Sequence, residues 1–284
     1  MNWLRVKFFA SKLAPTPDRS AGDRGELARE HHRQQAAGFT LIEMIMVILL
    51  LGIIGAMGGD IISTAFKGFS DTDARMELFE EGKLALMRME REIHIAVPNA
   101  VRVTGDGIEF GVIDENAMTG VFGQYTEASP TGGTTITDRT AGLPDTTLVS
   151  IYNSSWNEFA VAASSRVYRV VSGTNPMTLD RDIGPSSPYG RYYAVRPKAV
   201  RFSVASGVLS RSTATVMAGG DLGAFDTPYP LARNITQSGA LPFFTYTAGT
   251  SSRNSVVTIH FTISSPNGSE TVNFHKEVQV RNVP

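Results

Sequence analysis

The chain contains no cysteine. That absence removes thiol catalysis, thiolate metal sites and disulfide staples together. It leaves the compartment open, because a chain without thiols suits the cytosol and the periplasm equally. A surplus of either charge is missing too: 26 Lys and Arg face 27 Asp and Glu, for a formal net charge of -1. A protein that tracks phosphates needs a basic excess, so a general nucleic-acid binder is excluded. No internal repeat, P-loop, Ser/His/Asp order or GxGxxG after a strand stands in the 284 residues. The Gly-rich stretches fall instead in Thr/Ser loops. An enzymatic reading has no positive support, and no cofactor is expected. The length allows one large domain or two small ones around a sizeable core.

What is present is unevenly spread. Residues 1–38 are polar, with seven Lys or Arg against four Asp or Glu, and with Pro15 and Pro17. Mixed charge and proline give little reason for a stable fold there. From Phe39 to Gly59 a run of 21 residues is apolar or small except for Glu43. At 1.5 Å per residue such a run reaches about 30 Å, enough to cross a bilayer. The basic leader before it predicts an N-terminus held in the cytoplasm and an exported C-terminal bulk. The chain is expected to insert in a membrane.

The helix should continue past the lipid. No proline occurs from Asp60 to Val97, and Phe69, Met76, Phe79, Leu86, Met89, Ile93 and Val97 recur at spacings of seven, three and four. That periodicity predicts one apolar stripe over 60–97, with Lys67, Asp71, Arg75, Glu80, Lys83, Arg88 and Glu92 on the other faces. The stripe should pack on a sheet, and Pro98 should end a helix running from Thr40 to Ala96. Gly52, Gly55, Gly58, Gly59 and Gly68 weaken it by about 1 kcal/mol each relative to Ala. Gly55 and Gly59 also form a small-xxx-small pair that can pack neighbouring helices.

After Pro98 the period changes to two, and 98–284 reads as a β-rich domain. Val101 and Val103, then Thr104-Gly105-Asp106-Gly107, then Ile108, Phe110 and Val112 predict a hairpin. Further strands are expected at 166–171, 192–195, 200–204 and 207–211. The clearest pair, 256–264 with 271–280, flanks Pro266-Asn267-Gly268-Ser269, and the Asn-Gly turn fixes its register. It sets Ile263 opposite Val272, Phe261 opposite Phe274 and Val257 opposite Val278. Residues 124–147 and 184–190 read as irregular loops. The fold class expected is α+β: one long N-terminal helix, its first half transmembrane, packed on an antiparallel sheet.

The same register makes His260 and His275 cross-strand neighbours, with Glu277 two residues on along the face. Two His and a carboxylate can bind a divalent metal. A solvated or packed polar face is the plainer use, so no metal site is assigned. His31 and His32, in the leader, are assigned nothing.

Two features need a joint explanation: a small residue, Gly38, directly before the apolar run, and a carboxylate, Glu43, five residues into it. An ordinary signal peptide is cleaved after its apolar segment, on the exported side. An intramembrane Glu costs on the order of 2–3 kcal/mol on insertion scales, so it persists where it has a partner. An α-amino group created by cleavage after Gly38 would be such a partner.

Gly38-Phe39-Thr40-Leu41-Ile42-Glu43 resembles the class III signal of type IV prepilins and type II secretion pseudopilins. The resemblance implies that a prepilin peptidase cuts between Gly38 and Phe39 and methylates the new N-terminal Phe39. It implies that Glu43 pairs with the N-terminus of the next subunit in a filament, and that 98–284 is periplasmic. The expected partners are the peptidase, other minor and major pilins or pseudopilins, an inner-membrane assembly platform and the lipid bilayer, with no nucleic acid. Narrower stretches are similar to minor pilins of the mannose-sensitive haemagglutinin (MSHA) pilus, which share the build of J-type pseudopilins. These are Leu-Met-Arg-Met-Glu-Arg-Glu-Ile at 86–93, Val-Pro-Asn-Ala-Val-Arg-Val at 97–103 and Val-Gln-Val-Arg-Asn-Val-Pro at 278–284. The leader is long for such signals, and a C-terminal disulfide of the major-pilin kind is impossible here. The function expected is a non-catalytic minor subunit that helps initiate or cap a filament. A J-like pseudopilin of a secretion system, or a single-pass anchored periplasmic binding or sensor module, remain the alternatives.

Overall fold

The computed structural model describes residues 38–118, 120, 122–126, 133–139, 142–217, 219–249 and 253–280. Leader residues 1–37, with His31 and His32, lie outside them, as do 127–132 and 140–141 of the expected loop and 281–284 of the C-terminal stretch. The chain divides into two compact units, Met1–Gly58 and Gly59–Pro284.

One helix, α1 (Leu41–His94, 54 residues), opens the described chain. Strands β1 (Ala96–Thr104), β2 (Gly107–Val112), β3 (Gly123–Gln124), β4 (Thr135–Ile136) and β5 (Leu148–Ser150) follow. A single-turn helix α2 (Asn157–Ala160) precedes β6 (Val167–Ser172), β7 (Met177–Leu179), β8 (Arg191–Val195), β9 (Lys198–Ala205) and β10 (Val208–Val216). The chain closes with β11 (Leu222–Phe225), β12 (Tyr229–Ala232), β13 (Ile235–Thr236), β14 (Phe244–Thr247), β15 (Ser255–Ser264) and β16 (Thr271–Val280). The strands form three antiparallel sheets. The first runs β1-β2-β9-β10-β11, with β12 also on β10; the second centres on β15, flanked by β16, β13 and β14; the third runs β3-β8-β5-β6-β7-β4. A long apolar helix followed by antiparallel sheets is an α+β, pilin-like architecture.

Hairpin β1–β2 turns through Gly105 and Asp106, with Thr104 opposite Gly107 and Val103 opposite Ile108. The β15–β16 hairpin pairs Ile263 with Val272, Phe261 with Phe274 and Val257 with Val278. Its turn is held by Gly268 N–H donating to Ser265 O at 2.8 Å, and Gly268 takes the positive φ of 71° that glycine tolerates. The expected strands at 166–171, 192–195, 200–204 and 207–211 correspond to β6, β8, β9 and β10, the last extending to Val216.

The buried face of the helix shares Met89 and Ile93 with the expected stripe and departs from it towards the N-terminus. Met89 and Ile93 are fully buried, but Phe69, Met76 and Phe79 are 75%, 58% and 48% exposed. Leu86 is half-buried, and the remaining buried positions of α1 are Leu78, Gly82 and Ala85. The physical reason is size. At Gly82 and Ala85 the backbone itself comes down on the sheet, and a Cβ on Gly82 would meet the Phe274 ring at 2.2 Å and Ile263 at 2.8 Å. A stripe defined by large side chains passes over such contacts. The core beneath joins Met89 and Ile93 to Phe110, Phe202, Ile259 and Phe261, so α1 covers both the first and second sheets.

The end of the helix also differs. It stops at His94, two residues short of Ala96, and Ala96, Val97 and Pro98 already belong to β1. Pro98 disfavours helical backbone at Val97, and a proline is admissible here because β1 is an edge strand. Between the rungs Ala96–Val112 and Val101–Phe110 the register shifts, and Asn99 sits in that bulge at φ 58°. Two ion pairs and a hydrogen bond fasten the second half of α1. Glu92 accepts from Arg211 Nε of β10 at 2.8 Å, Glu90 pairs with Lys276 of β16 at 2.9 Å, and Glu81 accepts from Arg233 N–H at 2.8 Å.

Candidate functional site

Gly38, Phe39 and Thr40 precede the helix, outside any helix or strand, and α1 begins at Leu41. Thr40 starts it. Its hydroxyl accepts the Glu43 N–H at 3.3 Å, and its carbonyl accepts from Glu43 and Met44 N–H at 3.1 and 3.2 Å. Thr40-Leu41-Ile42-Glu43 thus has the spacing of a capping box, with Glu43 at the third helical position, where a carboxylate also meets the positive end of the helix dipole. The sequence reading gave Glu43 an α-amino partner, of its own chain or a neighbouring one, and overlooked Thr40, although the S/T-x-x-E spacing was the signal for it. Among the described residues Glu43 has no ion-pair partner.

Around this start every side chain from Phe39 to Met57 is exposed, and the most apolar eighteen residues of α1 are long and apolar enough to cross a membrane with none of them buried. Gly38, Gly52, Gly55, Gly58, Gly59 and Gly68 face open space: a Cβ on any of them would meet nothing within 4 Å. Nothing in the described part of the chain's own fold requires glycine there, in contrast with Gly82. Helical glycines that cost stability and contact nothing in their own chain are suited to close approach by another helix.

The β-rich part of the chain carries the second set of candidates. His260 and His275 are a cross-strand pair, as the register predicts, with Nδ1 atoms 3.0 Å apart. Burial, then the neighbouring His275, hold the His260 pKa below its ordinary 6.5, while Glu277 opposes the shift. Glu277 lies opposite Thr258, one same-face position further along, and does not join the rings: among the described residues no group of three or more His, Asp or Glu is gathered for a metal ion.

Sequence reasoning missed a charge ladder on the first sheet. Arg102, Glu109 and Arg201 stand opposite one another on β1, β2 and β9. Glu109, 1% exposed, receives Arg102 at 2.6 Å on one oxygen and Arg201 Nε at 2.7 Å on the other. Arg201 stacks on Phe225 at 3.7 Å and Arg102 on Trp156 at 5.1 Å. The ladder neutralises a buried carboxylate; it presents no open valence to a ligand.

The prokaryotic N-terminal methylation motif matches residues 33–59. No curated protein and no solved structure matches the chain. The matched stretch holds Gly38, Phe39, Glu43, Gly55 and Gly59, and it ends where the second compact unit begins. A methylation motif at the start of a helix apolar enough to cross a membrane once, ahead of antiparallel sheets, indicates a type IV pilin-like or pseudopilin protein.

Proposed function

We propose that the chain is a minor pilin or pseudopilin, a structural subunit that helps initiate or cap a type IV filament of the MSHA kind. In this reading a prepilin peptidase removes 1–38 and methylates Phe39. The subunit waits in the inner membrane with its N-terminus on the cytoplasmic side and residues 98–284 in the periplasm. It then joins other pilins through an assembly platform.

The observation that carries the reading is the methylation motif over 33–59, with Gly38 and Phe39 outside the first turn of α1. Gly38 puts no side chain beside the bond to Phe39, and a Cβ there would meet nothing within 4 Å, so the bond supports access by a peptidase. The unpartnered Glu43 carboxylate one turn further supports pairing with an α-amino group, of its own chain or of a neighbour. The open notches at Gly55 and Gly59 support contact with a neighbouring helix.

Mass spectrometry of the membrane-extracted protein tests this directly. The expected N-terminus is N-methyl-Phe39. An intact leader, or a terminus elsewhere, overturns the assignment, as does normal processing of a Gly38→Leu variant.

A further inference from the structure

The geometry points to a binding site for a divalent transition-metal ion on the outer face of the β15–β16 hairpin, with His260 and His275 as a two-imidazole chelate. The rung they share is the first reason. His260 donates its backbone N–H away from β16, to Phe243 O at 2.9 Å. The His260–His275 rung is therefore one without backbone hydrogen bonds between its two residues, the kind in which Cα atoms approach to about 4.5 Å and side chains lie closest.

The rings use that closeness to bring both Nδ1 atoms within 3.0 Å, at an interplanar angle of 65°. Two nitrogens, each about 2.0–2.1 Å from one ion, subtend roughly a right angle at that separation; a tetrahedral angle would need about 3.3–3.4 Å. A right angle is the cis angle of square-planar and octahedral coordination, which selects Cu²⁺ and Ni²⁺ over Zn²⁺. Glu277, on the same outward face, adds a negative charge that favours a dication. Water completes the remaining positions, since no third side-chain ligand is gathered among the described residues.

Coordination requires the neutral imidazole. Ligation through both Nδ1 atoms needs each ring as its Nε2–H tautomer. The proton that bridges the two nitrogens in the metal-free pair moves to an outer nitrogen, or to water if either ring began protonated. No electrons are transferred.

The full-length protein in detergent micelles, titrated with copper sulfate and separately with nickel chloride, tests the site by calorimetry and visible absorption. His260→Gln and His275→Gln should each lose one equivalent of bound ion, or bind it about tenfold or more weakly. His94→Gln, whose ring contacts the Gln279 carbonyl at 3.1 Å, should bind as the parent does. In the unsubstituted chain, substoichiometric Cu²⁺ should first broaden amide signals around 260 and 275, a readout that depends on no variant. Retained binding in either glutamine variant, no broadening at the hairpin, or tighter Zn²⁺ than Ni²⁺ binding overturns the proposal.

Discussion

Gly82 of α1 lies directly on the ring of Phe274 in β16, so close that a Cβ at position 82 would fall 2.2 Å from the ring's edge. Phe274 is itself stacked between Phe261 at 5.0 Å and Phe79 at 6.0 Å, so its ring has little room to withdraw. Gly82→Val should destabilise the domain by about 1–3 kcal/mol, the usual cost of overpacking. A melting temperature equal to that of the parent would show that the helix and sheet are not in this contact.

The buried face of α1 ranks its own side chains. Met89→Ala and Ile93→Ala remove fully buried groups and should each cost about 2–5 kcal/mol. Leu86→Ala should cost less, because Leu86 only borders the core. Leu84→Ala, on an exposed position, should stay within about 0.5 kcal/mol. Thermal unfolding of the four variants checks the order; equal losses at Leu84 and Met89 would contradict it.

Glu109 between its two arginines offers a test of the ladder. Glu109→Ala leaves Arg102 and Arg201 without their acceptor, but both cations remain 45% and 36% exposed and can hydrate. The expected loss is therefore about 1–3 kcal/mol rather than the 3–5 of a fully enclosed pair. Denaturant unfolding with and without 0.5 M salt, on the order of a 4–5 Å Debye length, should show little screening of this loss, because the carboxylate is buried.

Asp226 makes the domain acid-sensitive in a defined direction. The Thr213 hydroxyl and the Thr213 N–H both donate to its carboxylate at 2.6 Å, and these bonds hold its pKa below the ordinary 3.8. A carboxyl with a depressed folded pKa contributes stability above its unfolded pKa and loses it as pH falls through the folded value. Stability should thus decline below pH 3.8 more steeply in the parent than in Asp226→Asn. Parallel melting-temperature profiles from pH 5 to pH 2 would refute the assignment.

Glu43→Val separates insertion from assembly. The substitution eases insertion, so the protein should still reach the membrane and be processed. It should not co-purify with neighbouring subunits, because the α-amino group of Phe39 loses its carboxylate. Co-purification at the parent level would end the charge-pairing account.

How far the sequence carries depends on how local each cause is. The β15–β16 register was legible because strict alternation and an Asn-Gly turn fix it within 25 residues; it located His260 opposite His275 before any coordinates. The methylation motif over 33–59 was legible for the same reason, as a contiguous stretch. The buried face of α1 was not, since Gly82 and Ala85 carry no hydrophobic signal and matter only because of what lies under them. The two-residue strands β3, β4 and β13 exist through their partners Tyr192, Met177 and Ile263, not through any pattern of their own. In the Arg102–Glu109–Arg201 ladder the first two residues face each other across the expected hairpin, but Arg201 stands 92 positions beyond Glu109 and leaves no local trace.

The three polar ties at the end of α1 have a mechanical consequence. Glu92 grips a strand of the first sheet, Glu90 a strand of the second, and Glu81 the segment that passes from one to the other. Tension drawn along the helix is then divided among three attachment points, two on separate strands and one on the segment that joins their sheets. The packed faces of Met89 and Ile93 share the load with these ties.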